Sequence, residues 1–308
     1  MRLFVTHRTE YRFSESQQRI VQLARVTPAS YAGQSIVDWQ IDVDCDARLR
    51  PGRDGYGNET TMIYVNGPID RLVLSVTGEV LTEDKAGMVF GAPEPLPPMV
   101  FLRETALTKP DDAILAFAEE MRAAGRNTLD RMHQLSTALN ERLEFDKIHT
   151  NVQRDAATAF GLGHGVCQDF AHIFVAAARA IDVPARYVSG HLYQPETAAG
   201  SQEASHAWVE ACIEDLGWVG FDPANALCPD DSYIRVAIGL DYREAAPLSG
   251  ARIGGGLDAR SCRGACLVRR ILCAAPGRAS RLGLSSGGVS VDRRRWEFSG
   301  RTANPALV

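Results

Sequence analysis

The first 85 residues alternate between apolar and polar positions with a period of two, which is the pattern of half-buried β-strands. Turn-forming pairs of Gly, Pro, Asn and Asp interrupt the alternation at short intervals. The alternating runs are 3–5, 9–13, 36–43, 61–65 and 72–76, and the turn signals are Pro51-Gly52, Asp54-Gly55, Gly57-Asn58 and Asn66-Gly67-Pro68. Several short antiparallel strands predict an N-terminal β-sandwich over residues 1–85.

A proline-rich segment follows this β region. Residues 91–98 contain four prolines, and proline both fixes the backbone and removes a hydrogen-bond donor. Regular structure is therefore not expected here. We predict a stiff linker, or a strap across a domain surface, over residues 86–110.

The apolar spacing then changes to three and four residues, the period of helices packed on one face. Apolar positions with this spacing are Leu129, Met132, Leu135, Leu139 and Leu143, and, in the run that starts at Cys167, Phe170, Phe174, Ala177 and Ile181. Alternation with a period of two returns at 186–193, 206–213 and 218–221. Residues 111–256 are thus predicted to form an α+β domain in which helices pack on an antiparallel sheet.

Three residues of this domain have the chemistry of a thiol active site. Cys167 follows a glycine-rich turn and starts a helix, His206 starts one strand, and Asp222 follows the next strand. A hairpin at 215–217 would bring His206 and Asp222 toward the same end of neighbouring strands, although a symmetric register leaves them a few residues out of alignment. A bulge or strand shear would have to close that gap. The three residues would supply a nucleophile, its base and a group that orients the base.

Simpler explanations exist for each of these residues. A single Cys packs well as a small apolar residue, and Asp-Pro often ends a strand. His164, Cys167 and His172 suggest a zinc site, but no second closely spaced pair completes a tetrahedral set. The glycines at 161, 163 and 165 do not form a phosphate-binding loop, because the Lys and Ser/Thr of such a loop are missing. An acidic calcium-binding loop is not visible in the sequence either. We therefore predict neither a metal nor a cofactor.

Four motifs in order resemble the bacterial transglutaminase-like superfamily over residues 110–250. They are Gly165-Val166-Cys167-Gln168-Asp169-Phe170-Ala171-His172, Pro184-Ala185-Arg186-Tyr187-Val188-Ser189-Gly190, Ser205-His206-Ala207-Trp208-Val209-Glu210 and Gly217-Trp218-Val219-Gly220-Phe221-Asp222-Pro223. The β-rich first segment is similar to the N-terminal region that accompanies such domains. The resemblance implies a papain-like fold and a catalytic triad of Cys167, His206 and Asp222. It also implies a closing strand for the catalytic sheet after Gly256.

The expected reaction is acyl transfer from an amide of a peptide or protein through a Cys acyl-enzyme. With water as acceptor the protein is a peptidase or amidase, the alternative we favour, and with an amine it is a transglutaminase. A non-catalytic binding module with the same fold is the remaining alternative. The backbone N–H of Cys167 is a natural first donor to the oxyanion, and the second donor is unidentified. Gln168 and Trp208 are candidates for substrate binding, although we expect Gln168 to point away from the thiol and Trp208 to pack in the core.

Composition limits the possible partners and location. The chain has 308 residues, 45% of them hydrophobic and 23% charged, with a formal net charge of −5. This balance is that of a two-domain globular protein and argues against nucleic acid as a partner. Neither a membrane-spanning apolar run nor a signal peptide is recognisable, and seven cysteines at irregular spacing do not suggest a disulfide framework. We expect a cytoplasmic protein that does not bind membranes.

The composition changes abruptly at residue 257. Residues 257–308 contain ten Arg, no Lys and three acidic residues, with little periodic apolar pattern. Three explanations stay open: a basic tail that docks on an acidic partner, a disordered extension, or a reading-frame shift near Gly256.

Overall fold

The computed structural model describes residues 1–146, 154–194, 205–255 and 261–270. The strands are β1 (Arg2–Ala24), β2 (Gln34–Val43), β3 (Ala47–Arg53), β4 (Glu59–Thr82), β5 (Met88–Val89), β6 (Glu144–Phe145), β7 (His164–Gly165), β8 (Ala185–Leu192), β9 (Ser205–Ile213), β10 (Gly217–Phe221), β11 (Tyr233–Gly239), β12 (Leu248–Gly254) and β13 (Ser261–Arg270). The helices are α1 (Asp112–Ala124), α2 (Thr128–Arg142), α3 (Ala156–Leu162), α4 (Cys167–Ala180) and α5 (Tyr242–Ala245), with a 3₁₀ helix at Pro98–Leu102.

The N-terminal sheet is built on two long strands, β1 and β4, which pair with each other in antiparallel fashion along most of their length. The first half of β1 also pairs with β13, and its second half pairs with β12. The first half of β4 also pairs with β3, and its second half pairs with β2. Apolar side chains of both halves share one buried cluster, to which Tyr11, Ile20, Ile63 and Leu72 belong. The predicted sandwich is therefore a single hydrogen-bonded sheet that folds over its own core.

Two of the predicted turns lie inside strands. Pro51-Gly52 is part of β3, an edge strand where a missing N–H is tolerated. Gly67 lies within β4, where a Cβ would be 1.8 Å from the carbonyl oxygen of Gln17. Glycine is needed there because two bending strands approach closely, not because the chain reverses. The predicted turn at Gly57-Asn58 does close a loop, in which Asp54 N–H donates to the Asn58 carbonyl at 3.1 Å.

The second sheet has five antiparallel strands in the order β11-β8-β9-β10-β5, with α4 on one face. Alternate residues point to opposite sides: Tyr187 and Val209 belong to the cluster that includes α4, whereas Val188 and Trp208 belong to a cluster on the other side. Twelve of the fourteen residues of α4 are buried, so this helix is the centre of the domain. The predicted α+β architecture is confirmed.

The segment predicted as a linker or strap lies across the second sheet. Its residues Met88 and Val89 form β5, which pairs with β10, and Phe101 is buried at 1% exposure beside Trp218. Glu94 reaches the fully buried Arg186 with two contacts of 2.6 and 2.9 Å. The segment therefore completes one edge of the sheet and covers part of one face.

After α5 the chain returns to the N-terminal sheet instead of extending the second one. β12 and β13 both pair with β1, so in the part of the tail that the structure describes the strand after Gly256 belongs to the N-terminal sheet and does not close the second one. The rest of the basic tail, 271–308, lies outside the described residues. The domain limits at residues 85, 110 and 256 stay predictions.

Two side-chain amides of the N-terminal region bind the outer edge of β11. The amide of Gln34 accepts from Arg235 N–H at 2.8 Å and donates to its carbonyl at 2.9 Å. The amide of Asn58 does the same to Ile238, with both distances at 2.8 Å. Each amide thus takes the place of a neighbouring strand, and the two together join the N-terminal sheet to the second sheet.

A buried ionic network lies beneath this junction. The Glu210 carboxylate accepts hydrogen bonds from Arg186 Nε and Arg235 Nε, each at 2.7 Å, and all three side chains are at most 8% exposed. Burial by itself would raise the pKa of Glu210, but the two guanidinium groups outweigh it and lower that pKa to about 2. With Glu94 the network has two positive and two negative charges, and these short contacts offset part of the cost of removing the charges from water.

Within the described residues, none of the helices has the length and apolar character needed to span a membrane.

Substitution of Asn58 tests the junction. Asn58→Ala would leave a buried N–H and C=O of Ile238 without partners, and we expect the free energy of unfolding to fall by about 2–4 kcal/mol. Equilibrium urea unfolding measures it. Asn66→Ala is the matched control, because Asn66 is exposed and bonded only to Arg19 at 3.4 Å. An equal loss of unfolding free energy in the two variants would contradict the role of Asn58 in joining the sheets.

Candidate active site

Cys167 is the first residue of α4, and the turn before it is fixed by Asp169. The Asp169 carboxylate accepts from Val166 N–H at 2.9 Å and thereby caps the helix start. Gly165 must be glycine, because a Cβ there would lie 2.6 Å from the same carboxylate oxygen. The thiol is consequently held at a defined helix N-terminus with 8% exposure.

His206 and Asp222 are in direct contact. His206 Nε2 lies 2.6 Å from Asp222 Oδ2, and the Asp222 side chain is fully buried. The pairing of β9 with β10 is regular, with Phe221 opposite Val209, so no bulge closes the expected gap. Continuing this register puts Asp222 opposite Trp208, two residues from His206 on the same face. The two side chains meet along this diagonal, which is within reach of long side chains.

The Asp222 carboxylate is saturated with hydrogen bonds. Besides His206, its Oδ2 accepts from Tyr233 Oη and Asn225 Nδ2, each at 2.7 Å, and its Oδ1 accepts from Ala224 N–H at 3.0 Å. Burial would raise the pKa of Asp222, but the contacts with His206, Tyr233 and Asn225 outweigh it and lower that pKa. Asp222 is therefore held as a carboxylate against the imidazole.

His206 also interacts with Cys167. Burial lowers the pKa of His206, but the charge of Cys167, the hydrogen bonds to Asp222 and Cys167, and the charge of Asp222 together raise it to about 10. Because Nε2 faces Asp222, Nδ1 is the ring nitrogen left for the thiol. The structure thus brings the three residues predicted from the motifs together, in an order suited to an imidazolium–thiolate pair.

Two residues around Asp222 were missed by sequence reasoning. Asn225 follows the Asp-Pro pair within the same turn, and an Asx-type turn was the available signal. Tyr233 lies on β11, a strand with no local pattern that connects it to Asp222. Helix α2 contributes as well, since the amide of Asn140 donates to the carbonyls of Pro223 and Ala224 at 3.1 and 2.9 Å and fixes this turn.

Trp208 packs against the histidine. Its side chain is 2% exposed, stacks on His206 with 6.3 Å between ring centroids, and meets Tyr233 edge-on at 5.3 Å. The structure shows the packing role that we expected for Trp208, and its candidate role in substrate binding stays a prediction.

We had expected the Gln168 side chain to point away from the thiol, but it points toward it. Its Oε1 lies 3.4 Å from Cys167 Sγ, and the side chain is half-buried. The second helical position of α4 therefore contributes an amide to the site.

The residues considered for zinc do not converge. His172 is 1% exposed within α4, and its Nε2 accepts from Tyr242 N–H at 3.1 Å. Burial lowers its pKa to about 4. His164 lies near Asp146, with 3.5 Å between Nδ1 and Oδ2. Among the described residues, no group of three His, Cys, Asp or Glu could hold a metal ion.

Comparison with known proteins identifies the family. Residues 115–223 match the profile of the Transglutaminase-like superfamily, and residues 3–81 match the Bacterial transglutaminase-like N-terminal region. The resemblance seen in the motifs is thereby confirmed. The chain belongs to the transglutaminase-like superfamily and carries its bacterial N-terminal region.

Three similar proteins illustrate the range of this family. An uncharacterized protein of Mycobacterium leprae is 28% identical over 83% of this chain and 94% of its own. A protein-glutamine gamma-glutamyltransferase of Pseudomonas aeruginosa is 28% identical over 46% of this chain and 23% of its own. A crystal structure described as "a Putative Cysteine Protease from Cytophaga hutchinsonii" has a TM-score of 0.69 at 20% identity and covers 89% of this chain and 92% of its own. The last likeness shows a shared fold.

Loss of the Tyr233 hydroxyl tests the hydrogen bonding of Asp222. Tyr233→Phe removes a bond to a buried carboxylate, and we expect it to lower the free energy of unfolding by about 1–3 kcal/mol near neutral pH. Because the pKa of Asp222 is lowered on folding, its interactions stabilise the protein above its ordinary pKa of 3.8 and are lost as the pH falls below that value. The difference between the variant and the wild type should therefore shrink in acid.

Urea unfolding between pH 3 and 7 measures this difference. Tyr64→Phe, on β4 of the N-terminal sheet, is the matched control and should show no such pH dependence. A Tyr233→Phe effect that stayed constant across the range would contradict the link to Asp222.

Proposed function

We propose that this protein is a thiol enzyme that cleaves an amide bond of a peptide or protein through a Cys167 acyl-enzyme. The contact between His206 and the fully buried Asp222, with Cys167 at the other side of the imidazole, carries the proposal. Membership in the transglutaminase-like superfamily supports it. A site that served only to bind a partner would have no need of a charged, fully bonded Asp behind a histidine.

The first half of the reaction forms a thioester. The Cys167 thiolate attacks the amide carbonyl carbon, a C–S bond forms, and the carbonyl electron pair moves to oxygen. The Cys167 N–H at the start of α4 has no intrahelical partner and can bind this oxyanion. As the C–N bond breaks, the His206 imidazolium gives its proton to the leaving amine. Asp222 holds the ring in the required tautomer and stabilises its positive charge.

The second half releases the acyl group, and the acceptor decides the class of enzyme. His206, now neutral, takes a proton from water as the water attacks the thioester, and Cys167 leaves as the thiolate. We propose water, hence a peptidase or amidase. The alternative is an amine acceptor, which the Pseudomonas aeruginosa gamma-glutamyltransferase named above supports for part of the chain.

Alkylation with iodoacetamide tests the thiolate–imidazolium pair. Because the pKa of His206 is raised to about 10, its cationic form persists through neutral pH. We expect the alkylation rate of Cys167 to change less than about threefold between pH 6 and 8. The alkylation rate of an ordinary thiol increases about tenfold per pH unit below its pKa. Peptide mass spectrometry gives the rate at each cysteine.

Two controls belong to this measurement. Cys45 is the internal reference, since burial and the neighbouring Asp44 and Asp46 raise its pKa and its rate should increase steeply with pH. His206→Ala should give Cys167 the same steep dependence. A wild-type Cys167 that followed the profile of Cys45 would exclude the proposed pair.

The acceptor is tested with the acetyl-enzyme formed from p-nitrophenyl acetate. If water is the acceptor, the thioester at Cys167 should decay to acetate at the same rate with and without millimolar n-butylamine. Mass spectrometry of the products distinguishes acetate from N-butylacetamide. Predominant N-butylacetamide would replace the peptidase or amidase assignment by the transferase alternative.

A further inference from the structure

The side chain of Gln168 lies where an acyl-transfer reaction places charge. Its amide is 3.4 Å from Cys167 Sγ, and it follows the nucleophile directly at the N-terminus of α4. The position is half-buried, so the amide is part of the site and still open to a substrate. Neither the capping of α4, which Asp169 performs, nor the orientation of His206 uses it.

The proposed reaction leaves one requirement unfilled. A tetrahedral intermediate carries a full negative charge on oxygen, and such oxyanions are bound by two preorganised donors. The N–H of Cys167 provides one. A second donor has to lie within a few ångströms of the sulfur, because the oxyanion is only two bonds from it.

Of the other amide and indole side chains that the structure describes near the site, Asn225 is already hydrogen-bonded and Trp208 is enclosed. Asn225 Nδ2 donates to Asp222 at 2.7 Å, and Trp208 is 2% exposed behind the His206 ring. Among the described residues, Gln168 is the one whose side-chain amide is placed against the sulfur.

We propose that the Gln168 side-chain amide is the second oxyanion donor, an inference that rests on the proposed thiol chemistry. With the thiol protonated, Oε1 accepts from the S–H. Once the proton moves to His206, the sulfur no longer donates. A half-turn of the terminal amide then directs Nε2–H toward the oxyanion that forms on the carbon bonded to the sulfur, and not toward the sulfur itself. The residue therefore contributes to the transition state and not to thiolate formation.

Two reagents of different chemistry separate these roles. Acetylation by p-nitrophenyl acetate passes through a tetrahedral oxyanion, whereas alkylation by iodoacetamide is a direct displacement without one. In Gln168→Met, which keeps the length of the side chain and removes the donor, we expect acetylation of Cys167 to slow by about 10²-fold. Alkylation should stay within about threefold of the wild type.

Gln168→Glu provides a second, pH-dependent variant. A carboxylate cannot donate, so acetylation relative to the wild type should be as slow as in Gln168→Met at pH 7. As the pH falls toward about 4, the carboxyl is protonated and can donate again, so the relative rate should recover. Circular dichroism and urea unfolding check that both variants fold.

The outcomes distinguish this inference from the proposed function. If Gln168→Met acetylates at the wild-type rate, or if both reagents slow equally, Gln168 is not an oxyanion donor, although the thiol mechanism stands. If wild-type Cys167 itself reacts with both reagents no faster than Cys45, the proposed function fails and this inference fails with it.

Discussion

The burial of the Asp222 carboxylate is the constraint around which the site is organised. A charge with no exposure to water must be matched by donors, or the group would neutralise. Here the donors come from separate parts of the chain: His206 lies on β9, Tyr233 lies on β11, and Asn225 lies in the turn that follows Asp222 itself. The position of each strand end is therefore tied to one carboxylate. The imidazole can be held in place for chemistry because the rest of the domain has already satisfied the acid behind it.

The N-terminal sheet and the strap are structural parts of this arrangement. The second sheet is buried on both faces, and the buried residues on the face away from α4 include Arg186 and Glu210 as well as Trp208. Such a surface needs both charge compensation and cover. Glu94 of the strap supplies the compensation, and the amides of Gln34 and Asn58 replace the missing neighbour of β11. We conclude that the N-terminal region stabilises the strand that carries Tyr233, and through it Asp222.

Local sequence patterns predicted what depends on local chemistry. Period-two alternation located β2, β8, β9 and β10 and parts of the long strands β1 and β4, and the motifs identified Cys167, His206 and Asp222 without a structure. Features set by distant contacts were beyond such reasoning. Gly67 marks a turn in isolation and becomes a close contact only once β1 lies against it. Tyr233 has no neighbour in sequence that would reveal its bond to Asp222. The orientation of Gln168 is a choice between rotamers that only the packed helix start decides.

The relative strength of two effects decides what activates the thiol. A helix N-terminus stabilises a nearby anion by about 0.3–1 kcal/mol, and by at most about 2 kcal/mol when partly buried. Here the capping carboxylate of Asp169 occupies the same helix end, so the share left for a thiolate is smaller still. Two opposite unit charges 4 Å apart attract by about 4 kcal/mol at the effective dielectric constant of a protein surface. In the proposed mechanism the His206 imidazolium is therefore the main stabiliser of a Cys167 thiolate, and α4 serves chiefly to aim the sulfur and to present the Cys167 N–H to the oxyanion.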